Sequence, residues 1–104
     1  MSARARAALG ERDANHAELA KRYSEHFCQV LDLSTLGGGA GDTLVRINTR
    51  SGHILQLVEI KTEDGSLNSA QELFHQTWGK DCIVLARTIH DVDAHIAHVK
   101  ARFA

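Results

Sequence analysis

HILQLVEIKTEDGSLNSAQ, residues 53–71, is the stretch whose reading decides the fold. Its first nine residues are largely apolar and carry no helix-breaking signal, as a strand requires. Strand side chains alternate faces with period two. Ile54, Gln56, Val58 and Ile60 therefore share one face, and Leu55, Leu57, Glu59 and Lys61 share the other. An acid and a base emerge together where the strand leaves the core. EDGS then ends the strand, and Asn68 or Ser69 caps a helix that runs to Trp78 and stops at Gly79.

Reading upstream, TLVRIN (Thr43–Asn48) alternates like a strand, and TRSG supplies the turn that makes a hairpin with HILQLVEIK. STLGGGAGD before it is a glycine loop with no regular structure, and VLDL (Val30–Leu33) reads as a short strand. From about Asp13 to Leu31, Leu19, Tyr23, Phe27 and Val30 recur at helical spacing. Downstream, CIVLA (Cys82–Ala86) is a short apolar run suited to a buried strand. Thr88 with Asp91 opens a last helix, striped by Val92, Ile96, Val99 and Phe103. The order α-β-β-β-α-β-α predicts an α/β fold, a mixed β-sheet flanked by helices. Residues 1–11 are expected to be a flexible tail, and residues 12–104 one domain.

Composition narrows the function. With 12 basic against 13 acidic residues and a net charge of -1, the chain does not announce a nucleic-acid binder. No apolar run approaches the roughly 20 residues that span a bilayer. MSARARAALG has arginines but no continuous apolar core, so it does not read as a secretory signal. Cys28 and Cys82 match no zinc or CxxC spacing and read as free, mostly buried thiols of a cytoplasmic protein.

The chemistry gathers on the hairpin. Asp42 sits where the glycine loop enters one strand, and a turn near Ser51 puts it roughly opposite positions 59 to 61. Asp42, Glu59 and the backbone carbonyl of Ile60 then suit a hard divalent cation such as Mg²⁺. Lys61 shares Glu59's face, and Gln71 in the next helix adds a polar contact. Blander readings stand beside these. An acid two residues before a lysine is common, and a solvated Glu59–Lys61 pair contributes about 0–1 kcal/mol. Asp42 suits a turn, Gln71 a capping box on Asn68, and Glu18 one on Asn15. Asp91, His95 and His98 share a helix face with zinc spacing, but solvated polar residues are the more ordinary reading. LGGGAG lacks the lysine and hydroxyl of a phosphate-binding P-loop. Phe74 and Trp78 read as core rather than as a base-stacking platform.

GGGAGD, a hairpin, VEIKTEDGSLNSAQELFHQTWG and CIVLARTIHDVDAHI, in that order, resemble the PD-(D/E)xK nuclease superfamily. Within it the chain is most similar to the small stand-alone VRR-NUC nucleases common in phages. RDANHAELAK and DLSTLGGG look like that family's first helix and the segment before its acid motif, so the resemblance spans about Arg12 to Ile96. It implies a restriction-endonuclease-like core and Mg²⁺- or Mn²⁺-dependent hydrolysis of DNA phosphodiesters, in a phage or DNA-repair setting. It puts Asp42 at the motif aspartate, Glu59 at the second acid and Lys61 at the motif lysine. Gln71 matches the glutamine of the following helix, and Glu18 the first-helix acid. Gly41 stands where the motif name has proline.

DNA affinity rests on basic contacts to phosphates, for which Arg46, Arg50, Lys80, Arg87 and the N-terminal Arg4, Arg6 and Arg12 are the candidates. A homodimer, frequent among small members of such families, would double that surface. A phage-encoded version would work in the host cytoplasm. The rival reading is a catalytically silent module of the same fold that grips nucleic acid or a protein partner. Divalent-metal binding separates the two. The substrate's form (end, flap, junction or nick) is not written in the sequence.

Overall fold

The computed structural model describes residues 15–35 and 41–104. The tail at 1–11, the helix start at Asp13, the arginines at 4, 6 and 12, and residues 36–40 of the glycine loop lie outside the described residues. Helix α1 (15–25) leads into strands β1 (Gln29–Asp32), β2 (Thr43–Thr49) and β3 (Gly52–Ile60). Helix α2 (Ser69–Trp78), strand β4 (Ile83–Ala86) and helix α3 (Ile89–Arg102) follow. The strands form one sheet in the order β1-β2-β3-β4; β1, β2 and β3 are antiparallel in turn, and β4 is parallel to β3. This is the mixed α/β architecture and the element order that the sequence predicts.

The hairpin closes tightly. Thr49 pairs with Gly52, leaving Arg50 and Ser51 as the tip, and Gly52 takes φ 123°, where a side chain is disfavoured. The parallel β3–β4 pair needs a crossover, and α2 lies within it. On one sheet face, Val45 and Ile47 of β2, Val58 and Ile60 of β3 and Ala86 of β4 are buried beneath Leu19 and Tyr23 of α1 and Val92, Ile96 and Val99 of α3. Each such Val, Leu or Ile side chain contributes about 1.5–3 kcal/mol through burial. The α1–α3 edge is also pinned by Arg22, which grips both oxygens of Asp93 at 2.7 and 3.0 Å. That bond, with a second from His26, holds the Asp93 carboxyl well below its ordinary range.

The capping signals at α2 and α3 are present as read. Asn68 and Gln71 exchange side-chain and backbone bonds at 2.9 Å, and Thr88 and Asp91 do so at 3.1 Å. The first helix departs from expectation: it ends at residue 25, not near Leu31. Cys28 N–H reaches the Tyr23 carbonyl and Phe27 N–H the Ser24 carbonyl, the bond pair of a Schellman stop. Phe27 occupies its left-handed position at φ 63° and is 81 % exposed. A non-glycine residue there costs about 1–2 kcal/mol. Phe27→Gly is therefore expected to stabilise the fold by roughly 0.5–1 kcal/mol after glycine's added unfolded-state entropy. Urea denaturation measures the shift.

Three further expectations need correcting. Cys28 is buried but Cys82 is exposed. Trp78 is 56 % exposed and stacks on half-buried Phe74 with ring centroids 5.1 Å apart, because α2 buries none of its residues in the core. His95 is buried rather than solvated. Its Nδ1 bonds the Tyr23 hydroxyl at 2.7 Å and its Nε2 bonds Gln56 Oε1 at 2.6 Å. Gln56 in turn donates to the Asp81 carbonyl at 2.7 Å. This chain of bonds ties α1, α3 and β3 together, so His95 is not available as a zinc ligand.

Candidate active site

Asp42 stands one residue before β2 and is held from three directions. Its N–H donates to the Val58 carbonyl at 3.1 Å, its carbonyl accepts from Leu33 N–H at 2.6 Å, and its Oδ2 accepts from Ile60 N–H at 3.1 Å. The pairing Thr43↔Val58, extended by one residue, sets Asp42 across from Glu59. Such cross-strand neighbours on one face have Cβ atoms roughly 4.5–5.5 Å apart. Gly41 enters the site at φ 93°, and a Cβ there would lie 3.2 Å from both Ile83 Cδ1 and the Val58 oxygen. Proline, fixed near φ −65°, cannot take that conformation, which accounts for glycine at this position.

A cavity of about 380 Å³ opens at this end of the sheet, with Asn15, Asp42, Ile60, Lys61, Asn68 and Gln71 in its wall. Asp42, Lys61 and Gln71 thus come together as the spacing predicts. Glu59 is 1 % exposed on the same face as Asp42 and is not part of the cavity wall. Ile60 N–H points toward Asp42, and one strand residue's N–H and C=O face the same edge, so the Ile60 carbonyl also lies on this side. Gln71 Oε1 is engaged by Asn68 N–H, and its NH₂ group is left to serve the cavity.

Two placements differ from the sequence reading. Glu18 is exposed and lines a neighbouring depression with Thr62 and Arg87. The α1 side chain in the Asp42 cavity is Asn15, whose Nδ2 donates to the Lys61 carbonyl at 2.8 Å. Asn15 lies within the helix instead of capping a box with Glu18. No local signal marks it, because its partner is 46 residues away. The basic candidates are also dispersed. Arg50 sits at the hairpin tip, a seven-residue strand and so roughly 23 Å from Asp42. Arg87 is folded onto the loop after β3.

Oxygen-only donors, two of them carboxylates 7 % and 1 % exposed, fit a hard divalent cation. Among the described residues no three His, Cys, Asp or Glu side chains cluster as a metal-binding group.

A hairpin-centred mixed sheet with Asp42, Glu59 and Lys61 at one end defines the class as a mixed α/β domain. A solved structure titled "VRR_NUC domain" superposes on this chain with a TM-score of 0.63 and 24 % identity, over 83 % of this chain and 94 % of that one. The chain has the VRR_NUC fold, and the family resemblance drawn from the sequence holds at the level of fold. No family model matches the sequence, and no curated protein matches it. No helix among the described residues is long and apolar enough to cross a membrane.

Proposed function

We propose that the protein is a divalent-cation-dependent nuclease that hydrolyses DNA phosphodiester bonds. The observation that carries this reading is the juxtaposition of Asp42 with Glu59 on one sheet face, at a cavity lined by Lys61 and Gln71, in a VRR_NUC fold. Asp42, Glu59 and the Ile60 carbonyl would hold Mg²⁺ or Mn²⁺, and a cation bound there would supply charge neutralisation at the scissile phosphate and a more acidic water.

The chain's own groups do the rest. Ile60 N–H fixes the Asp42 carboxylate, so little reorganisation accompanies binding. Lys61 orients the attacking water or meets charge developing on a phosphate oxygen. The Gln71 amide donates to a second oxygen. The N-terminus of α2, which bounds the cavity, adds a partial positive charge that favours an anion. A homodimer would present two such sites, as cutting both strands of a duplex or junction requires. We assign the activity to a phage or DNA repair and recombination setting, as the sequence resemblance implies.

The test is cleavage of end-labelled linear, nicked, flap and four-way-junction DNA with Mg²⁺, with Mn²⁺ or with EDTA. Metal-dependent cutting of at least one substrate supports the reading, and the preferred substrate names the specificity. A folded sample that cuts none of them with either metal would move the assignment to the silent binding module.

A further inference from the structure

Three backbone carbonyls from the loop between β3 and α2 converge on one guanidinium. Arg87, the first residue after β4, donates from Nη1 to the carbonyls of Thr62 at 2.8 Å, Glu63 at 3.3 Å and Gly65. Its backbone N–H donates to Asp91 Oδ2 at 2.8 Å, the same carboxylate that caps α3. The guanidinium is thus anchored on a rigid junction of strand and helix. Gly65 N–H closes back on the Thr62 carbonyl at 3.1 Å, which turns the loop so that its carbonyls face one way. Such a concave set of carbonyl dipoles is a site for a cation, and a neutral side chain would leave it to water.

The loop begins at Lys61. Lys61 N–H donates to the Ala86 carbonyl at 3.0 Å, one residue before Arg87, and its carbonyl accepts from Asn15 at 2.8 Å. Lys61 is therefore tied to β4 and α1 at its own backbone, and the next three residues of its loop are tied to Arg87. Arg87 itself lines the depression beside Glu18, not the cavity of Asp42.

We propose that Arg87 is a positioning residue: by clasping the 62–65 loop it holds Lys61 in register with Asp42. The role in catalysis rests on the nuclease reading; the clasp does not.

Arg87→Met keeps the apolar stem and removes the donors. Amide hydrogen exchange over residues 61–66 is expected to quicken by roughly tenfold or more, because the two Nη1 protons that three loop carbonyls share are lost together. In single-turnover and steady-state cleavage, kcat is expected to fall roughly ten- to a hundredfold, since small misplacements of a reacting group cost that much. KM for DNA should stay within about twofold. Arg87→Lys, which keeps a cationic donor, should recover part of both losses. In a Lys61→Ala background, Arg87→Met should cost nothing more, because both changes remove the same contribution.

Unchanged loop exchange in Arg87→Met overturns the clasp. A raised KM with normal kcat, or a full additional loss in the Lys61→Ala background, overturns the positioning role in favour of direct contact with DNA phosphates. If the wild-type protein cuts no DNA, the nuclease reading fails, and loop exchange alone decides the clasp: acceleration upholds it and no change sinks it.

Discussion

Asp42→Asn is expected to lower cleavage by about a thousandfold or more while leaving the fold in place. The carboxylate serves two purposes, and the substitution separates them. Its Oδ2 accepts the Ile60 N–H bond at 3.1 Å, and an asparagine carbonyl can accept that bond equally well. Its negative charge would hold the proposed cation, and asparagine has none. Loss of a charge-stabilising group in a water-poor site costs roughly 10²–10³-fold in rate for a single donor, and loss of a cation removes more than one donor's worth. Circular dichroism should be unchanged and urea midpoints close to wild type, because the Ile60 N–H bond is kept. A cleavage rate within tenfold of wild type would mean that Asp42 serves the turn and not the chemistry.

The second large effect is on stability and belongs to His95. Burial, with the neighbouring His98 charge, lowers its pKa from 6.5 to about 4. The native state holds the imidazole neutral, with Nε2–H donating to Gln56 and Nδ1 accepting from Tyr23. Between pH 6.5 and about 4 the unfolded chain binds the proton that the native state refuses. Stability from this residue is therefore complete above pH 6.5 and is lost as pH falls toward 4. The shift sets an upper limit of about 3 kcal/mol for the loss, at about 1.4 kcal/mol per pH unit. Asp93 acts in a lower window: its depressed pKa contributes stability above its ordinary value of 3.8 that is lost below it. Urea titrations at several pH values from 7 to 4 should show the slope, and His95→Gln should flatten it. A wild-type midpoint constant over that range would contradict the buried neutral imidazole.

Much of the fold was legible because its signals are local. The alternation of residues 53–60, the two-residue hairpin tip and the boxes Asn68–Gln71 and Thr88–Asp91 each act within a few residues. The paired acids could be found for the same reason, since a tight turn fixes the register and the register sets Asp42 against Glu59. What escaped the sequence depends on distant partners. Phe27 ends α1 in a conformation that glycine usually signals, and its helical spacing therefore suggested continuation. Asn15 and Arg87 look like a cap and a phosphate contact until the loop after β3 is seen between them. Glu18 lies one turn beyond Asn15, on the far side of that loop. His95 reads with Asp91 and His98 as a polar face, although it lies three residues after Val92 and four before Val99 on the apolar stripe. Its partners Tyr23 and Gln56 are distant in sequence.

The Asp42–Glu59 end of the sheet is proposed as a divalent-cation site. Mn²⁺ titration followed by electron paramagnetic resonance, on wild type and Asp42→Asn, tests it without knowledge of the substrate. The wild-type protein is expected to bind Mn²⁺ saturably, with displacement by Mg²⁺ and loss of binding in the variant. Equal binding by both proteins, or none by the wild type, would contradict it.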